Sequence, residues 1–131
     1  MRGIQKSLVI LSMTTMVLVC FAFAMPLRVP HGPDPVIETK MHLEQVATAA
    51  EMYHLTYDSW PTALVQLYPE HNRNKIAFLP SGAGATNDAW GHALLYQSFD
   101  PVTGYGSVVS LGRDGQIGGS GKNGDIEKRF E

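Results

Sequence analysis

The sequence predicts an α+β domain: one long N-terminal amphipathic helix packed on a small antiparallel sheet, with a C-terminal glycine-rich loop. Three observations carry this. Residues 36–60, VIETKMHLEQVATAAEMYHLTYDSW, run without a glycine or proline. Residues 92–99 (HALLYQSF) and 106–112 (GSVVSLG) have the alternation and the Tyr, Phe and Val content of strands, and DPVTGY between them suits a turn. Finally, residues 110–126, SLGRDGQIGGSGKNGDI, are too rich in glycine to form either element.

The chain has 131 residues, enough for one domain, and a formal charge of −2, which lacks the basic footprint of a nucleic-acid binder. Cys20 is the only cysteine, so neither an intrachain disulfide nor a cysteine zinc site can form. It lies in an apolar run that comes after Arg2 and Lys6 and meets no charge before Arg28. The basic start, apolar middle and Ala22-Phe23-Ala24 fit a secretory signal cleaved before Met25. Residues 8–25 are also long enough to span a bilayer uncleaved, so residues 1–25 are a signal peptide or a signal anchor. A lipoprotein reading of Cys20 is weaker, because Val19 stands where a small residue is wanted. Either way the remainder is exported. Residues 1–24 carry two of the ten basic residues and none of the twelve acidic ones, so residues 25–131 have a net charge of −4.

Residues 26–35 contain Pro26, Pro30, Pro33 and Pro35 and read as an extended linker, with the domain proper at 36–131. Asp34 can cap the helix, Pro35 suits its first position, and Glu38 puts negative charge in its first turn. Ile37, Met41, Ala47 or Ala50, His54 and Tyr57 recur at intervals of three and four and are expected to form the buried face. Pro61 ends the helix near Asp58–Trp60. TALVQLYPE has room for a short helix before Pro69, and PSGAGATNDAWG reads as loop. A hairpin alone is marginal in water, so the two strands are expected to lie against the long helix.

The glycine-rich stretch invites two chemistries. GSGKNG matches G-x-G-x-x-G, but the dinucleotide loop needs a helix after it, and only seven residues remain after Gly124. GSGK lacks the earlier glycine and the Ser/Thr of a phosphate-binding loop. Asp114 and Asp125 are spaced like the ends of an EF-hand loop, yet Gln116, Gly118 and Asp125 occupy positions that want other ligands, and no helices flank them. A hard cation remains open to Asp114, Asp125, the amide oxygen of Asn123 and backbone carbonyls. The competing reading is a solvated surface turn, which composition alone favours. Five histidines form no ligand pair: His42 and His54 are out of phase on the helix. Trp60 and Trp90 read as packing anchors, and no nucleophile constellation points to catalysis.

The run NDAWGHALLYQSF…GYGSVVSLGRDGQIGGSGKNGDI, with SWPT after the helix, resembles the C-terminal domain of the major pseudopilin of type II secretion systems. The likeness covers roughly residues 36–126. It implies a pilin-like helix on a three-stranded sheet and a loop that binds calcium. Carried over by position, the ligands fall on Leu111 (carbonyl), Asp114, Gln116 (carbonyl) and the region of Lys122–Asp125, with Asn123 and Asp125 as its oxygen donors. Lys122 and Asn123 stand where the family has acidic positions, so the site is expected to be weakened. The family's processing site and its glutamate inside the apolar helix are missing from residues 1–24, and Pro26–Pro35 interrupt the helix. Both features argue against assembly into a pseudopilus by the usual route. The resemblance implies a non-enzymatic protein of the cell envelope, in the periplasm or on the inner membrane with its C-terminal domain in the periplasm. Its partners would be other pseudopilin-like or secretion-machinery proteins, with no nucleic acid, and the membrane through residues 8–25 if these are uncleaved. The alternative is a free periplasmic or extracellular calcium-binding or interaction module unrelated to secretion.

Overall fold

The computed structural model describes residues 32–81 and 85–131. The expectations for residues 1–25, and for the linker up to residue 31, lie outside the described residues. Pro33–Glu131 form one compact unit.

Helix α1 runs from Pro35 to Tyr57. Its start is set locally: the Asp34 carboxylate accepts a 3.0 Å bond from the Val36 amide, and Pro35 lacks an N–H where no helical partner exists. At the other end Asp58 takes a left-handed conformation (φ 51°), and its amide donates to the His54 carbonyl. The buried stripe is Thr39, Leu43, Val46, Ala47, Ala49 and Ala50. This corrects the expected face in part. Ala47 and Ala50 are buried and His54 and Tyr57 half-buried, but Ile37 is 57% and Met41 60% exposed. The winning stripe has the same helical period, and its small residues Ala47 and Ala50 pack against the Phe130 ring. Thr39 is tolerated inside it because its hydroxyl accepts the Ala89 amide at 3.2 Å.

After Pro61 the chain makes two short 3-10 turns, Leu64–Leu67 and Pro69–His71, where a short helix was expected. Leu64 and Leu67 enter the core, and the Leu67 carbonyl accepts the amides of Phe78 and Leu79. Asn72 clips the next bend: its amide donates to the carbonyls of Tyr68 and Ile76, and its oxygen accepts the Ile76 amide.

Strands β1 (Leu95–Asp100), β2 (Tyr105–Ser110) and β3 (Ile126–Phe130) form an antiparallel sheet in the order β1-β2-β3. The hairpin is the expected one. The third strand was implied by the family resemblance but not read from its own residues. The helix packs chiefly on β3 and then β2, so the hairpin by itself is not its main support. On the helix side, Tyr96 and Val108 share a row with Lys128, and Ser110 pairs with Ile126. Lys128 reaches Glu44 of α1 at 2.8 Å.

Gln97 pairs with Ser107 and Asp100 with Tyr105, which leaves Ser98 and Phe99 opposite Gly106 alone. This bulge turns both side chains to use. Ser98 and Tyr96 each donate a 2.9 Å bond to the Pro61 carbonyl. Phe99 stacks on Trp60 at 4.8 Å, and Trp60 stacks in turn on His54 at 4.2 Å. Phe130 closes the group against Trp60 and Tyr96. A Cβ on Gly106 would lie 2.3 Å from the Phe130 ring, so only glycine leaves room for that ring. Burial pushes the Tyr96 phenol well above its ordinary range and raises Tyr68 as well.

Candidate functional site

Pairing of Ser110 with Ile126 brings together the two ends of a 15-residue connection, residues 111–125. Connections this long are uncommon in compact domains, and those that stay ordered are usually functional. This one is tied both from beneath and across itself.

The tie from beneath is Asp88, only 6% exposed. Its Oδ1 accepts the amides of Trp90 and His92, and its Oδ2 accepts the Ser110 hydroxyl at 2.6 Å. Ser110 Oγ in turn accepts the Gly112 amide, and His92 Nδ1 lies 3.0 Å from the Gly112 carbonyl. The imidazole also supports the next turn, since a Cβ on Gly115 would sit 3.2 Å from its ring. Asp88, His92 and Ser110 thus fix where the loop leaves the sheet. Sequence reading missed them as a set because Ser110 is 22 residues from the turn that carries Asp88 and His92. The one available signal was Asp88 in the turn-forming N-D-A-W-G, where a short acid can accept its own neighbours' amides.

Across the loop, the Arg113 amide donates to the Lys122 carbonyl at 2.8 Å. Gly112 (φ 69°) and Gly119 (φ 86°) both pass against the backbone of Asn123. A Cβ on either would come within 3 Å of the Asn123 carbonyl oxygen, so a larger residue there would force the loop open.

All the residues expected to hold a cation lie on this loop. Leu111 is half-buried directly after β2, and its carbonyl accepts no hydrogen bond among the described residues. Asp114 is exposed, with Oδ1 accepting the Gln116 amide at 3.1 Å. Gln116 is exposed. Asn123 is half-buried within a 3-10 turn, Gly121–Asn123. Asp125 is exposed, and its Oδ2 accepts the Gly118 amide at 3.0 Å. Each aspartate keeps a second oxygen that accepts no hydrogen bond among the described residues. Arg113 and Lys122 form no ion pair with either aspartate among the described residues. The residues expected as donors thus offer oxygen atoms, and neither aspartate is ion-paired among the described residues. Among the described residues no three His, Cys, Asp or Glu side chains gather, so such an ion would rest on two carboxylates and on carbonyls.

The family model of the type II secretion system (T2SS), protein G, matches residues 34–129. The chain belongs to this family. The match begins at the N-cap of α1 and ends in β3, so helix, sheet and loop are covered as one unit. No sequence among curated proteins matches the chain. Family membership ties the domain to pseudopilin-type proteins of secretion, and the helix-on-sheet architecture agrees with it.

Proposed function

We propose that this chain is an exported pseudopilin-like protein that acts in or beside a type II secretion or pilus-like assembly through protein–protein contacts rather than catalysis. The observation that carries this reading is the family match over the whole folded unit. A second observation supports it. The face of α1 turned from the sheet exposes Ile37, Met41, Met52 and Leu55, and Met41 and Met52 edge a groove of about 470 Å³ with Phe78 and Pro80. Apolar side chains spaced along one helix face suit contact with another protein. In this reading the domain stands in the cell envelope on the periplasmic side, and residues 1–25 deliver or anchor it.

The loop is assigned calcium, held by Asp114 and Asp125 with carbonyls such as those of Leu111 and Gln116 and the amide oxygen of Asn123. The ion would supply positive charge to two carboxylates and hold together carbonyls that glycine leaves bare. Its affinity is lowered by Lys122, whose ammonium is repelled by a cation nearby.

The experiment is site-specific photo-cross-linking in the native cell, with the probe at Met41 or Met52 of the full chain. Cross-links to pseudopilin-like or secretion-machinery proteins are expected. A chain that is released from the envelope and cross-links to none of them would overturn the reading in favour of a free module.

A further inference from the structure

We infer that Asn123–Gly124 is a self-modifying site: in the folded protein Asn123 deamidates, and the carboxylate formed becomes an added oxygen donor of the glycine-rich loop. Asn123–Gly124 is the one Asn–Gly pair in the sequence; Asn72, Asn74 and Asn87 precede Arg73, Lys75 and Asp88. The pairing matters because the reaction is an attack by the next backbone nitrogen on the side-chain carbonyl carbon, and glycine offers that nitrogen without a side chain in the way.

In the first step the Gly124 nitrogen loses its proton to water or hydroxide and bonds to Cγ of Asn123. The Cγ–Nδ2 bond breaks, and ammonia leaves a five-membered succinimide. Water then opens the ring at one of its two carbonyls. One product is aspartate at position 123; the other is isoaspartate, with the main chain running through Cβ and Cγ. Both leave a carboxylate at residue 123.

The structure distinguishes this asparagine from Asn72. The Asn72 side chain is buried and makes three bonds to backbone groups, so its Cγ is held away from its own next nitrogen. The Asn123 side chain makes no hydrogen bond among the described residues, and it is not a buried orphan. No hydrogen bond among the described residues therefore fixes its amide group. The bond that engages the Gly124 nitrogen, to the Gly121 carbonyl, is long at 3.2 Å and belongs to a three-residue 3-10 turn. Such a short turn opens easily. The carbonyl of the same residue meanwhile packs on Gly112 and Gly119, so a carboxylate made at this position stays within the loop that carries Asp114 and Asp125. An extra carboxylate favours a hard cation. That consequence rests on the calcium reading; the modification itself does not.

The test uses the full chain, incubated folded at mildly alkaline pH and then cut with trypsin after Lys122 and Lys128 to release residues 123–128. Mass and chromatographic position separate the amide, aspartate and isoaspartate forms. Gly124→Ala is the control that keeps the fold: Gly124 has φ −73°, and a Cβ there meets nothing closer than the Gly121 carbonyl at 3.4 Å. Conversion of the wild type, several-fold faster than in Gly124→Ala while circular dichroism stays native, is the expected result. Equal retention of the amide in both, with conversion only after denaturation, overturns the site. A second arm compares freshly purified wild type and Asn123→Asp for the thermal shift that calcium produces. A larger shift in Asn123→Asp supports the donor role, and an unchanged one overturns it. If neither protein shifts at all, the calcium reading fails while the peptide result still stands.

Discussion

At the C-terminal end of α1, Trp60 lies nearly parallel to both His54 and Phe99, and Phe130 fills the space that Gly106 leaves open. In the loop of residues 111–125 no large apolar side chain is buried, and the chain is held by single hydrogen bonds and by backbone passing against backbone. The first region is fixed by the area its rings remove from water, a force that needs no direction. The second is fixed by a few directed contacts, each worth about 0.5–1.5 kcal/mol. Substitutions in the two regions therefore act differently. Damage to the stacked rings lowers the stability of the whole domain, whereas damage to the loop opens the loop first.

The largest effect is expected from Phe130→Ala. The side chain is almost wholly buried between Tyr96, Trp60 and the alanine stripe of α1, so urea unfolding should show a loss of about 3–5 kcal/mol. A loss confined to the loop, with the helix signal unchanged, would break the comparison.

Asp88→Ala comes next, because Asp88 holds the start of the loop from beneath. It strands the amides of Trp90 and His92 and the Ser110 hydroxyl, and a cost of about 2–3 kcal/mol is expected from such unpaired buried groups. The Gly112 amide signal in NMR should move with it, since Ser110 holds that amide. An unmoved Gly112 signal would detach the loop from Asp88.

Tyr96→Phe tests a hydrogen bond beside the stacked rings. At neutral pH it should cost about 0.5–1.5 kcal/mol, because Ser98 still donates to the Pro61 carbonyl. Burial raises the folded pKa of Tyr96, so the folded protein keeps the phenol proton after the unfolded chain has lost it. Wild-type stability should therefore fall as pH rises above about 10, where unfolded tyrosine ionises. The variant should lose less over that range, though Tyr68 is also raised by burial and leaves part of the slope. Parallel pH profiles would contradict the account of Tyr96.

The smallest effect belongs to Lys128→Ala. Its bridge to Glu44 is exposed on both sides, so about 0.2–1 kcal/mol is expected, fading as salt is added. A larger, salt-insensitive loss would mean that the lysine stem, not its charge, carries the contact.

Much of the fold was legible in the sequence. Asp34, Pro35 and Pro61 bounded α1 because capping and proline chemistry act within a few residues. The hairpin was readable from Tyr, Phe and Val around a Pro–Gly turn. The buried face of the helix was read partly wrongly, because two apolar stripes share one period and only the sheet decides between them. Strand β3 escaped because IEKRF has just two strongly apolar residues, and their inward alternation was easily lost behind the glycines. In the site, Asp114 and Asp125 stood out as the only acids in a glycine-rich run. Asp88, Ser110 and His92 did not, since the turn that carries Asp88 and His92 meets Ser110 only once the sheet has formed.

The loop of residues 111–125 is held by its own directed contacts, apart from the ring packing at the end of α1, and in the proposed reading calcium adds to them. Amide hydrogen exchange of the full chain, with calcium and with chelator, tests this most directly. Slower exchange is expected in residues 111–125 when calcium is present, with no change in Pro35–Tyr57 or in β1 and loss of the calcium effect in Asp114→Ala. Exchange in residues 111–125 that is the same with calcium and with chelator, or a calcium effect spread evenly over helix, sheet and loop, would contradict it.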